Sequence, residues 1–112
     1  MHAIEGFIEA TGRRKTSTAT ARLSSGKKGI TVNGKEYTKY FPTEELQKIV
    51  VEPLRVLHMS EKVSISISVF GGGIHSQSEA VRHAISRALV VYDAEFRTRL
   101  KKLGASIEAS SN

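Results

Sequence analysis

An α+β fold, a two-layer sandwich of helices over an antiparallel-rich sheet, follows from three features of this 112-residue chain. Residues 16–23 and 63–69 alternate between the two faces of a strand, apolar or small on one side and hydroxylated on the other. Residues 43–57 and 76–92 instead repeat their apolar side chains at helical spacing. The order, strands first and then helix, strand, helix, helix, suits a sheet with its helices on one face. The length suits one domain. That domain is placed at residues 1–104, with 105–112 as a short polar tail.

The elements follow in order. Residues 7–10 suit a short strand that leads into Thr11-Gly12-Arg13-Arg14-Lys15. In 16–23, Ser17, Ala19, Ala21 and Leu23 share the inward face, and Thr16, Thr18, Thr20 and Arg22 share the other. A turn at 24–29 carries Lys27 and Lys28 at its tip, and 29–32 is expected to return beside 16–23 as an antiparallel hairpin. Asn33-Gly34 is a strong turn signal, because both residues tolerate positive φ. A short strand is expected at 35–38. Thr43 is a suitable N-cap, with Glu44 and Glu45 at the positive end of the helix dipole. Pro53 is expected to limit that helix, and Leu54, Val56 and Leu57 continue the apolar pattern in a second helical piece of unspecified length. Residues 63–69 place Val63, Ile65, Ile67 and Val69 on one face and three serines on the other. Gly71-Gly72-Gly73 ends the strand. A helix over 76–92 buries Val81, Ala84, Ile85, Ala88, Leu89 and Tyr92, with His83 and Arg87 on another face. Asp93 can cap a last helix through Lys102, with Phe96 and Leu100 inward.

Composition narrows the chemistry. The chain has no cysteine, which excludes disulfides and thiolate metal sites and permits a reducing cytoplasm. No apolar stretch approaches the roughly 20 residues of a membrane span. The N-terminal residues read as neither a secretory signal nor a transit peptide. A soluble, cytoplasmic protein is expected. Net charge is +6, and the distribution says more than the total. Residues 12–39 hold eight Lys/Arg against one acid, Glu36, and 82–102 hold six against Asp93 and Glu95. The stretch between them, 40–81, is net acidic. Two basic blocks of this kind mark a polyanion footprint.

Two segments carry most of that reading. Arg13, Arg14 and Lys15 in an extended run point to alternate sides, so they cannot all serve one local acid, and they suit phosphates on adjoining RNA strands. Arg22, Lys27 and Lys28, with Lys35 and Lys39, can be carried towards the same polyanion. Gly71, Gly72 and Gly73 permit close backbone approach, and the amides of the helix that follows can seat a phosphate. Gln77, Arg82, His83 and Arg87 extend that surface, and Arg97, Arg99, Lys101 and Lys102 add exposed charge on the last helix. The glycines match neither a P-loop nor a dinucleotide fingerprint. An ATP-dependent small-molecule kinase would need a magnesium-binding acid there, and Glu79 is the only local candidate. His2, His58, His75 and His83 are too dispersed for a metal site, and no serine lies in a nucleophile motif. No catalysis, metal or cofactor is expected. The aromatics fall mostly at expected core positions, which argues against a base-stacking platform.

The succession Thr11-Gly12-Arg13-Arg14-Lys15-Thr16-Ser17, Ala21-Arg22, Val32-Asn33, Tyr40-Phe41 and Glu52-Pro53-Leu54 continues with Val69-Phe70-Gly71-Gly72-Gly73 and Gln77. Arg82-His83, Ile85, Arg87-Ala88-Leu89 and Tyr92-Asp93 complete it. In order and spacing this resembles the family of small-subunit ribosomal protein number nine, from about Phe7 to Gly104. The resemblance implies a sandwich like the second domain of ribosomal protein number five, including an uncommon left-handed β-α-β crossover. It also implies a structural role in the small ribosomal subunit, bound to the 3′ major (head) domain of its RNA and beside other head proteins. Carried over, the RNA-facing residues are Gly12, Arg13, Arg14, Lys15, Gly71, Gly72, Gly73, Gln77, Arg82, His83 and Arg87. Family members usually continue into a long basic tail that reaches transfer RNA in the peptidyl site. Here Gly104 is followed by a segment with one acid and no base, so contact with transfer RNA is assigned to no residue. A free RNA chaperone using the same surface is the remaining alternative; sedimentation with ribosomal subunits separates the two.

Overall fold

The computed structural model describes residues 6–26 and 29–102, the side chain of Lys102 excepted. Lys27, Lys28 and the tail expected at 105–112 lie outside the described residues. Five strands, β1 (Ile8–Arg14), β2 (Ser17–Ser25), β3 (Gly29–Val32), β4 (Lys35–Glu36) and β5 (Val63–Phe70), form one sheet in the order β1-β2-β5-β3-β4. Four helices join them: α1 (Tyr37–Tyr40), α2 (Glu44–Val56), α3 (Ile74–Tyr92) and α4 (Phe96–Lys102). The mixed α/β architecture agrees with the expected class.

Alternation decides which face of the sheet is covered. Ser17, Ala19, Ala21 and Leu23 of β2 and Val63, Ile65, Ile67 and Val69 of β5 are buried, as read from the sequence. Ile30 and Val32 of β3 line up with Ile65 and Ile67 on the same side. Helix α3 lies across β1, β2 and β5, and α2 packs against α3. Its small residues Ala80, Ala84 and Ala88 let α3 sit close to the sheet. Phe41, Leu54, Met59, Ile85, Leu89 and Leu100 fill the layer between. Among the described residues no helix is long and apolar enough to cross a membrane.

Four local expectations are corrected. β3 does not return beside β2; β5 lies between them, antiparallel to β2 and parallel to β3. The four-aliphatic stripe of β5 is the strongest in the chain, and the central position covers it best. The hairpin partner of β2 is β1, paired residue by residue from Ile8↔Leu23 to Arg14↔Ser17. The first strand therefore runs through the Gly12-Arg13-Arg14 segment instead of stopping at Ala10. Pro53 does not end α2, which continues to Val56 with Pro53 buried inside it. Proline forfeits one backbone donor and crowds the preceding turn, and packing of Leu46, Val50 and Leu54 holds the helix through it. The expected strand at 35–38 shortens to Lys35–Glu36, and the single turn α1 replaces its end.

Other signals hold. The Thr43 hydroxyl accepts from the Leu46 amide at 3.3 Å, capping α2. Asn33 (φ 51) and Gly34 (φ 82) make the turn between β3 and β4. The Asn33 side chain does more than turn the chain. Its Nδ2 donates to the Val69 carbonyl and its Oδ1 accepts from the Val69 amide, both at 2.9 Å. It thus extends the β3–β5 pairing by one residue.

Candidate nucleic-acid interface

The β1–β2 hairpin and the glycine turn after β5, 54 residues apart at their nearest contact, meet at one end of the sheet. Ser17 is fully buried, and its hydroxyl donates to the Gly71 carbonyl at 2.8 Å. Gln77 Nε2 donates to the same carbonyl at 3.0 Å, and Tyr40 donates to Gln77 Oε1 at 2.7 Å. The Ser76 hydroxyl donates to the Arg14 carbonyl at 2.7 Å and lies 3.1 Å from Ser17 Oγ. This network clamps the hairpin tip to the glycine loop, so the two segments singled out from the sequence become one surface. Ser17, Ser76 and Tyr40 are not legible as part of it from sequence. Ser17 reads locally as one more small inward residue, and its partners are distant in the chain.

The glycines have different reasons. Gly71 (φ 81) and Gly72 (φ 65) adopt backbone that side chains disfavour, and a Cβ at either would fall 2.3 Å from Thr16 O or Ser17 Oγ. Gly73 has ordinary φ and open space around it. Gly12 is buried in β1 on the helix side, where a Cβ would lie 2.3 Å from the Ala84 amide nitrogen and 2.4 Å from the Ala80 carbonyl oxygen. Gly12 therefore lets α3 approach the sheet, and it does not present backbone to a ligand.

Strand alternation separates the three cations. Arg13 points to the open face of the sheet, and Lys15 occupies the two-residue hairpin turn at φ 56. Arg14 turns to the helix side, where its Nε donates to Glu79 Oε1 at 2.8 Å; His75 Nδ1 lies 4.0 Å from the same oxygen. Arg14 is half exposed, so water screens the pair. Arg13 and Lys15 are exposed at the tip. Arg87 donates from Nη1 to the Thr11 carbonyl at 2.9 Å, along the flank of β1.

The remaining expected contacts are not gathered at this tip. Arg22 lies further along β2, paired with Glu9 at 2.9 Å and stacked 4.8 Å above the Phe7 ring centre. Arg82 faces α2, with Glu52 at 3.6 Å. Arg97, Arg99 and Lys101 project from α4, at the far end of α3 from the glycine loop. At 1.5 Å per residue, the 19 residues of α3 separate these two basic stations by roughly 28 Å.

His83, expected on an outer face with Arg87, is only 3% exposed, and neither ring nitrogen has a hydrogen-bond partner among the described residues. It occupies the wall of the core rather than the surface. Burial first, then the Arg87 and Arg82 charges, lower its pKa from the ordinary 6.5. The sign follows. Below 6.5 the unfolded chain takes up a proton that the folded state refuses, so stability falls as pH drops through that range. Denaturant midpoints measured from pH 7.5 to 5 are expected to fall for the wild type and to fall less for His83→Gln. Equal slopes for the two proteins would contradict this account.

The family model for ribosomal protein S9/S16 matches residues 12–110, nearly all of the chain. The chain belongs to this family. The small ribosomal subunit protein uS9 of Desulfovibrio desulfuricans is 48% identical over 100 residues, covering 89% of this chain and 77% of that protein. The uS9 proteins of Maridesulfovibrio salexigens and Methylacidiphilum infernorum are 49% and 45% identical over 98 and 97 residues. These alignments cover 88% and 87% of this chain and 75% and 71% of those relatives. Ribosomal S9/S16 proteins are structural and not enzymes.

Proposed function

We propose that this protein is a structural constituent of the small ribosomal subunit that binds the 3′ major (head) domain of its RNA. The observation that carries the reading is the hydrogen-bonded union of the Arg13–Lys15 tip with the Gly71–Gly73 loop, in a chain of the S9/S16 family. Such a ridge offers two exposed cations and fixed backbone. That suits recognition of folded RNA by shape and phosphate position. Arg14, Gln77 and Arg87 support it from the flank, and the cations of α4 form a second phosphate station. The protein works in the ribosome, in the cytoplasm, beside other proteins of the head. Residues 1–104 serve as one domain, with 105–112 as a polar extension. The parallel β3–β5 pair, joined through α1 and α2, supports a β-α-β crossover like that of the second domain of ribosomal protein number five, whose left-handed sense follows from the family reading.

The test is binding to a head-domain RNA fragment across a salt series, beside an unrelated RNA of equal length. Arg13→Ala/Lys15→Ala is expected to weaken binding and to flatten the salt slope by roughly 1.5, because about two fewer phosphates are neutralised. Arg22→Ala, remote and already paired with Glu9, is expected to change the slope by less than half as much. A wild type that binds both RNAs equally well would sink the reading.

A further inference from the structure

Among the described residues the helices all lie on one side of the sheet, and the other side stands open. Phe70, the last residue of β5, is 66% exposed on that open side and Phe7 is 54% exposed, so the expectation that aromatics serve mainly the core fails for both. A single exposed phenylalanine is unexceptional. The neighbours of Phe70 make the difference. Thr18 pairs with Phe70 on one side and with Arg13 on the other, so Arg13, Thr18 and Phe70 form one row across three adjacent strands. At the usual strand spacing the two ends of that row stand about 10 Å apart. The next rows on this face are Thr11, Thr20 and Ser68, then Glu9, Arg22 and Ser66. A shallow depression of ≈360 Å³ lined by Glu9, Thr20, Arg22, Ser66 and Ser68 continues the surface. The open face thus offers a planar ring, a row of hydroxyls and a cation at the end where the hairpin tip lies.

We propose that the Arg13–Thr18–Phe70 end of the open sheet face receives an unpaired nucleotide of RNA, its base stacked on Phe70 and its phosphate on Arg13. The proposal rests on the ribosomal reading above and adds to it a single-stranded element beside the phosphate-gripping ridge. Charge chooses the occupant. The row holds a cation and no acid, and the nearest acid on this face, Glu9, is engaged by Arg22. A protein partner would want a broader apolar surface than Phe70 and, covered by Arg22 two rows away, Phe7, set among threonines and serines. Aromatic rings bind bases of any sequence through their faces, and hydroxyls and Arg supply the polar edge contacts.

Because Phe70 is exposed, its replacement leaves the core intact, and circular dichroism checks this. Phe70→Leu keeps the apolar volume and removes the ring face. Its affinity for the head-domain fragment is expected to fall about 10-fold, within what one stacked base contributes, with the salt slope unchanged. The chain contains no tryptophan, so Phe70→Trp creates a single reporter. It is expected to retain wild-type affinity and to lose emission as RNA binds. If Phe70→Leu binds as tightly as wild type while Arg13→Ala/Lys15→Ala binds more weakly, the stacking site is refuted and the ribosomal reading stands. If Phe70→Leu keeps its RNA affinity but fails to recruit a neighbouring head protein in reconstituted particles, the face belongs to a protein and the proposal fails. A wild type with no preference for the fragment removes both readings, and the same titration shows which case holds.

Discussion

Gly12→Ala is expected to lower the melting temperature by more than 10 °C with no RNA present. The added methyl would lie 2.3 Å and 2.4 Å from backbone atoms of Ala84 and Ala80. Those atoms belong to the hydrogen-bonded interior of α3 and cannot swing aside as a side-chain tip would. The helix would have to move by roughly an ångström away from β1 and β2, opening the packing around Ala19, Ala80 and Ala84. Overpacking of this kind costs about 3 kcal/mol or slightly more, against a total stability of roughly 5–15 kcal/mol. Each kcal/mol is worth roughly 4 °C in a domain of this size. Thermal unfolding of the free protein decides the point. An unchanged melting temperature with lost RNA affinity would restore Gly12 to the RNA-contacting role that its neighbours in sequence suggest.

Gly71→Ala is the second large effect, and it should reach both stability and binding. Left-handed backbone at φ 81 costs a side chain about 1–2 kcal/mol, and the new methyl would meet the Thr16 carbonyl oxygen at 2.3 Å. The loop and the hairpin tip must then part, breaking the Ser17 and Gln77 bonds to the Gly71 carbonyl. Stability is expected to fall by about 2–3 kcal/mol. RNA affinity is expected to fall on the order of 10-fold, because the Arg13–Lys15 ridge loses its support. Gly73→Ser is the internal control. Its φ is ordinary, its surroundings are open, and serine is a better N-cap for α3 than glycine by a few tenths of a kcal/mol. The melting temperature should hold or rise slightly. If Gly71→Ala leaves stability and affinity unchanged, the clamp is not what positions the tip.

These two glycines show where local reading succeeds and where it stops. The alternation of Ser17, Ala19, Ala21 and Leu23, the aliphatic stripe of β5 and the Thr43 cap are properties of neighbouring residues, and each appears in the structure as read. The resemblance carried by ordered motifs from Phe7 to Gly104 likewise agrees with the family match. Pro53 departs from its local reading because its penalty is outweighed by the packing of residues three and seven positions away. His83 departs from it because a charged-looking face of α3 is wrapped further round by the core than an apolar stripe alone indicates. The pairing of Arg14 with Glu79 depends on two residues 65 apart, and no periodicity carries that information.

The class of fold, the inward and outward residues of most elements, the two basic blocks and the family are all legible in consecutive residues. The strand order, the clamp between hairpin and glycine loop, and the separate purposes of Gly12, Gly71 and Gly73 emerge only from packing. Packing likewise places Arg13 and Phe70 in one row on the open face while Arg14 turns to the helix side. The physical reason is one of range. Periodicity follows from the fixed pitch of strand and helix and is written in consecutive residues. Strand partners are chosen by competition among distant apolar stripes for the centre of one sheet, and that competition is settled only when the whole chain packs.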